Sequence, residues 1–184
     1  MGSSSRNLWI QKKNLIWPNI IFTTERAVYV MKNKEIKAIL ENQEDDRCYH
    51  GISWSNNDLY ISGEGCLYKY YRTMKKRYRR EVPGIILKLH VKIPIVYAYT
   101  NKNTCDEYDI GLIPIKRNSE FPKEDFPIEG DDCIVEKSGT KLIFIAKKGK
   151  LIEEVDMKEK IYEIRSLEEG FEHNKEAFPI KELL

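Results

Sequence analysis

Nothing in these 184 residues approaches the ~20-residue apolar run that a membrane-spanning helix requires. The N-terminal MGSSSRN lacks the apolar stretch and small-residue cleavage pattern of a secretory signal, so the expected location is inside the cell, in the cytoplasm. There is no GxSxG elbow, no P-loop and no GxGxxG, which removes the serine-hydrolase, nucleotide-cradle and dinucleotide signatures. The SGEG at 62 to 65 reads as a turn rather than a phosphate cradle, and the acids Asp106 and Glu107 beside Cys105 read as a solvated turn. The four cysteines, Cys48, Cys66, Cys105 and Cys133, contain no CxxC pair and have no regular histidine partner. A zinc knuckle is therefore not expected; free buried or half-buried thiols are, with one or two disulfides as the alternative. Only five alanines and two glutamines occur, a bias of the kind found in thermophiles or AT-rich genomes.

What the chain has is charge and β-prone residues. Hydrophobic residues make up 41% and charged residues 33%, the balance of one domain with a dense surface of charge. The formal net charge of +2 hides an asymmetry: residues 1–117 carry 20 basic against 12 acidic groups, and residues 118–184 carry 11 against 17. The halves are set to attract each other or to face different partners.

The stretch Cys48–Tyr71, CYHGISWSNNDLYISGEGCLYKYY, reads as three short strands: Ile52–Trp54, Leu59–Ser62 after an Asn/Asp turn, and Leu67–Tyr71 after a break at Gly63 and Gly65. Similar strand series recur along the chain. Their second strands start at 20, 59, 95 and 142, intervals of 39, 36 and 47 that average near the ~40–45 residues of a four-stranded propeller blade. Each copy has an upstream first strand: Leu8–Ile10 or Leu15–Trp17, then Ile52–Trp54, Val91–Ile93 and Cys133–Val135. In the third copy Ile95–Thr100 is followed by Ile110–Ile115, with Pro94 and Pro114 predicting a bend or interruption. In the fourth, Leu142–Ala146 and Leu151–Val155 precede Ile161–Ile164 as an outer strand. Residues 117–130 read as an exposed loop, and a short helix or loose tail is expected after Gly170. The expected organisation is an N-terminal segment at 1–7, one all-β, propeller-like domain of four to five blades at 8–170, and a closing segment or tail at 171–184. The ring closes within one chain or by pairing with another copy.

The order in HGISWSNNDLYISGEGCLYKY resembles NHL and SMP-30-type propeller repeats: a channel residue, Gly, an apolar strand, an Asn/Asp turn, a Leu-Tyr-Ile strand and a Leu-x-Lys-Tyr strand. That resemblance covers residues 49–71 well and 131–156 in part. It implies a propeller, and for the SMP-30 type a calcium-type site of carboxylates and asparagines. Here histidines stand at those positions.

Two constellations carry possible chemistry. His50 and His90 are 40 residues apart, each just before the innermost strand of its copy, with Asp131 and Asp132 in the corresponding place of the fourth copy and His173 farther on. In a propeller His50, His90, Asp132 and His173 would converge on the channel mouth, where a divalent metal would serve a lactonase- or esterase-like hydrolase. The second is the basic run Lys69, Arg72, Lys75, Lys76, Arg77, Arg79 and Arg80, interleaved with Tyr68, Tyr70, Tyr71 and Tyr78. Its guanidinium and ammonium groups suit phosphates and its rings suit bases, so it points to single-stranded nucleic acid or another polyanion. The leading expectation is a binding or interaction module with a protein partner or a second copy of itself, using the channel-mouth loops or the basic edge.

Overall fold

The computed structural model describes residues 16–41, 48–55, 58–71, 77–122, 128–130, 132–167 and 181–182. They form an all-β, propeller-like array with no helix among them, and so no helix able to cross a membrane. The strands are β1 (Ile20–Thr24), β2 (Ala27–Lys32), β3 (Glu35–Glu41), β4 (Tyr49–Ser55), β5 (Asp58–Tyr71), β6 (Arg77–Lys92), β7 (Ile95–Thr100) and β8 (Cys105–Asp109). They continue with β9 (Pro114–Ser119), β10 (Ile128–Glu129), β11 (Cys133–Ser138), β12 (Lys141–Ala146), β13 (Leu151–Asp156), β14 (Ile161–Ser166) and β15 (Lys181–Glu182). All pairings are antiparallel, in sheets of order β14-β1-β2-β3-β15, β4-β5-β6-β7-β8-β9 and β10-β11-β12-β13.

The six-stranded sheet holds two blades, because β5 and β6 are long and bend. The stretch from Cys48 onward is thus two strands, not three: Gly65 takes φ 74° and shifts the register between Glu64 and Cys66, so the glycine pair makes a bulge inside β5 rather than a turn. Gly84, at φ 79°, lies where β6 passes from pairing with β5 to pairing with β7. Four units result: β1–β3 with β14; β4, β5 and the first half of β6; the second half of β6 with β7–β9; and β10–β13.

Alternating side chains on each sheet make the apolar layers between units. Phe22 and Met31 of the first unit pack with Val135, Leu142 and Phe144 of the fourth. The opposite face of the first unit, Ile21, Val28 and Ile39, packs on Ile52, Leu59, Ile61 and Tyr68 of the second. Tyr60 and Leu67 turn to the third unit and meet Leu89, Val96 and Ala98. Each such side chain contributes roughly 1.5–3 kcal/mol on burial. Among the described residues no apolar layer joins the third unit to the fourth.

The largest departure from the sequence reading is β14. Ile161–Ile164 is not an outer strand of the fourth unit; it pairs with β1, Phe22 opposite Ile164, and supplies the innermost strand of the first. The alternation of KIYEIRSL is the same for either edge, so only the tertiary pairing assigns it. The place expected for Leu15–Trp17 is accordingly taken; Ile16 and Trp17 lie outside any strand, Trp17 stacking on Phe144 at 4.2 Å. Leu8–Ile10 and the residues after Gly170 up to 180 lie outside the described residues.

The third unit is corrected in three places. Ile110–Ile113 is a turn, because Asp109 Oδ1 accepts from the Gly111 and Ile113 amides at 2.8 and 2.9 Å and Leu112 adopts φ 65°. Cys105–Asp109 is strand β8 rather than a turn. Within the expected loop 117–130, residues 117–119 belong to β9 and Ile128–Glu129 form β10, so the loop is shorter at both ends. Pro94 sits in the β6–β7 turn with a cis bond to Ile93, and Pro114 opens β9, an edge strand where its missing N–H costs no ladder bond.

All four cysteines are free, Cys48 half-buried and the others buried. Burial, reinforced by Glu107 and Asp106, pushes the Cys105 thiol up to about 11 from an ordinary 9.0. The thiolate is the reacting form, so at pH 8 alkylation of Cys105 should run about 100-fold slower in the folded protein than in urea. Mass-spectrometric time courses read this directly, and equal rates in the two states would contradict it.

Candidate functional site

The innermost strands converge around two side chains of β14. Glu163 and Arg165 are two residues apart and so project from the same face of the strand, toward β4 and β6. Glu163 Oε1 accepts from the Ile52 amide at 2.6 Å and the Leu89 amide at 3.3 Å. Arg165 donates from Nε to the Ile52 carbonyl at 3.1 Å and from its Nη2 to the Leu89 carbonyl, and Nη2 also lies 3.3 Å from Glu163 Oε2. The pair therefore reads both backbone groups of both residues, the carboxylate standing in for a strand carbonyl and the guanidinium for a strand N–H. It satisfies inner-edge groups that have no neighbouring strand.

Close approach of β4 and β6 completes the axis. Gly51 donates to Ser62 Oγ at 2.7 Å, Ser62 Oγ donates to the Ile86 carbonyl at 2.8 Å, and the Val91 amide donates to Ser53 Oγ at 3.0 Å. Two serine hydroxyls thus bridge strands whose backbones do not form a ladder with each other.

Beside this axis, where the third and fourth units fail to pack, lies a cavity of about 470 Å³. Lys88 reaches it from β6, Glu136 and Lys137 from β11, and Tyr162 and Glu163 from β14, over an apolar wall of Ile128, Val135 and Ile164. Burial of its ammonium, and next the Lys88 charge, lower the pKa of Lys137; Glu163 pulls it up and Lys160 down. Glu163 is occupied by the strand clamp. The chemistry available is a mixed one, two cationic groups and an exposed carboxylate around an apolar floor.

His50 and His90 lie within β4 and β6 rather than just before the inner strands, and their contacts differ. His50 is buried on β4, its ring edge-on to Tyr162 at 4.2 Å and its Nε2 3.6 Å from Glu64 Oε1; burial lowers its pKa and Glu64 raises it. His90, on β6, has Nδ1 3.5 Å from Arg165 Nη1 and its ring edge-on to Phe121. Asp132 accepts from the Ile16 amide at 2.6 Å. Among the described residues no three histidine, cysteine, aspartate or glutamate side chains are grouped to hold a metal ion. His173 and Asp131 lie outside them.

The basic run divides. Lys69 is turned inward: 4% exposed, it donates to the Ile110 carbonyl at 2.6 Å, lies 3.7 Å from Asp58 and sits over the Tyr60 and Tyr71 rings. Arg79 is exposed, with its guanidinium 5.9 Å from the Tyr68 ring centre, and Arg80 is half-exposed on the same strand. Arg72, Lys75, Lys76 and the Arg77 side chain fall outside the described residues. Sequence reading missed the Glu163–Arg165 clamp and the Lys88–Lys137 cavity. The alternation of EIR at 163–165 was a signal of a shared face, whereas nothing local in the sequence brings Lys88 to Lys137.

No protein-family model matches this chain, and no curated protein does. Solved structures resemble it at low identity. A chain of the mitotic checkpoint complex is 11% identical with a TM-score of 0.46, over 77% of this chain and 64% of its own. The computationally designed Ika4 protein is 10% identical with a TM-score of 0.44, over 78% and 88%. The WD40 β-propeller domain of Doa1 is 8% identical with a TM-score of 0.44, over 74% and 50%. The present chain thus spans less than two thirds of the checkpoint-complex chain and half of the Doa1 chain. These are likenesses of fold.

Proposed function

We propose that this chain is a binding module whose ligand enters the gap between the third and fourth units. One observation carries the reading: it is the only junction between successive units that lacks an apolar layer among the described residues, and the cavity there is walled by three units at the convergence of the inner strands. Pockets of this size, mostly apolar with a few convergent polar groups, are what small-molecule sites look like.

Amide NMR of the full chain, titrated with small aromatic probes of neutral, cationic and anionic character, tests this. Shifts should concentrate at Lys88, at 135–137 and at 162–164. Shifts that instead map to Arg79, Arg80 and the strand around them would overturn the reading in favour of the basic edge and a polyanion ligand.

A further inference from the structure

Resting on that reading, we infer that the ligand is a small organic anion: Lys88 and Lys137 hold its carboxylate or phosphate between them, and its apolar body lies on Ile128, Val135 and Ile164. The two lysines approach one cavity from strands of different units, β6 and β11. Among the described residues neither lysine forms an ion pair, although salt bridges serve other lysines of the chain. Glu163 favours the Lys137 charge through space but forms no ion pair with it. Both oxygens of Glu163 are committed, one to two backbone amides and the other to Arg165.

The result is two like charges on one cavity, beside the exposed carboxylate of Glu136 with which neither forms an ion pair, and each lysine disfavours the other. That their mutual effect is felt is seen in Lys137, whose charged form is weakened by burial and then by Lys88. An anion placed between the ammonium groups reverses both penalties at once. Charge-assisted bonds from two donors on opposite walls also tie the third unit to the fourth, closing the one junction the apolar layers leave open. Ile128, Val135 and Ile164 reach the cavity wall from the edge of the apolar layer between the first and fourth units, and give the floor its apolar character. A free inorganic ion would leave that surface unused, which is why the inferred ligand has an organic body.

Isothermal titration of the full chain with phenyl phosphate, benzoate and the neutral benzyl alcohol, alongside the amide NMR map, tests this. Phenyl phosphate or benzoate should bind in the gap, raise the melting temperature, and weaken as salt rises. Preference for phenyl phosphate assigns a phosphate ligand, and preference for benzoate a carboxylate one. Lys88→Met and Lys137→Met should each weaken the anion about tenfold while keeping the side-chain stem, and Lys137→Arg should restore most of the affinity. Neither lysine belongs to an apolar layer, so these variants should fold; circular dichroism checks it. Benzyl alcohol binding in the gap as tightly as the anions, with the methionine variants unchanged, would overturn the anion inference and leave the binding site standing. No probe shifting the gap residues would overturn both.

Discussion

Glu163→Ala should lower folding stability by about 3–5 kcal/mol, the range for removing one partner of a buried, hydrogen-bonded ion pair. Glu163 is 3% exposed and serves two strands that it does not pair with. Its removal leaves the Ile52 and Leu89 amides without an acceptor, at a cost of about 1–3 kcal/mol each, and strips Arg165 of its carboxylate. The same deletion at an exposed acid would change stability by less than about 1 kcal/mol. Glu163→Gln keeps an acceptor oxygen but not the charge, so its loss should be clearly smaller. Urea unfolding measures both as midpoint shifts at constant slope. A Glu163→Ala midpoint within error of the parent would mean that the inner strands do not depend on the clamp. Since small domains are stable by about 5–15 kcal/mol in all, this one side chain accounts for a large share of the margin.

A single added methyl at position 51 should be nearly as damaging. A Cβ on Gly51 would lie 2.7 Å from Ser62 Oγ and 3.0 Å from both the Leu89 nitrogen and the Lys88 carbonyl carbon. The hydroxyl can rotate away, whereas the two β6 backbone atoms yield only by separating the strands. Gly51→Ala should therefore cost about 2–3 kcal/mol, at the upper end for overpacking, and should also disturb Ser62, which links Gly51 to the Ile86 carbonyl. Combining it with Ser62→Ala distinguishes the two contacts. If β6 backbone is the obstacle, removing the hydroxyl restores no stability; full recovery in the double variant would place the clash at Ser62 alone. Because Lys88 follows directly from this contact, Gly51→Ala should also displace one wall of the cavity and weaken any ligand held there.

Much of the array was legible along the chain. β-prone apolar runs in NIIFTT, AVYVM, IVYAYT and LIFIA marked β1, β2, β7 and β12 within a residue of their observed starts. Local turn chemistry was legible too where it was given weight. Asp109 followed by Ile-Gly is a turn signal, and reading IGLIPI as a strand set its apolar content above that signal. The glycines of SGEG misled for the opposite reason: a positive-φ glycine makes either a turn or a bulge, and the register of the partner strand chooses between them. The basic run shows a further limit. Lys69 and Arg79 look equivalent in sequence, yet the pleat and the Ile110 turn bury one ammonium and leave the other group outside.

By itself the sequence determined that the chain is all-β and that its strands recur at blade spacing. Those properties depend on alternation and turn residues, which act over a few positions. Tertiary structure alone decided that β14 belongs to the first unit, that Glu163 and Arg165 clamp β4 and β6, and that Lys88 faces Lys137 across a gap. These depend on which sheet edge meets which, a choice made by packing between residues as far as 111 and 113 positions apart in the clamp. No local periodicity encodes an edge's partner, because both edges of an antiparallel strand present the same alternating pattern.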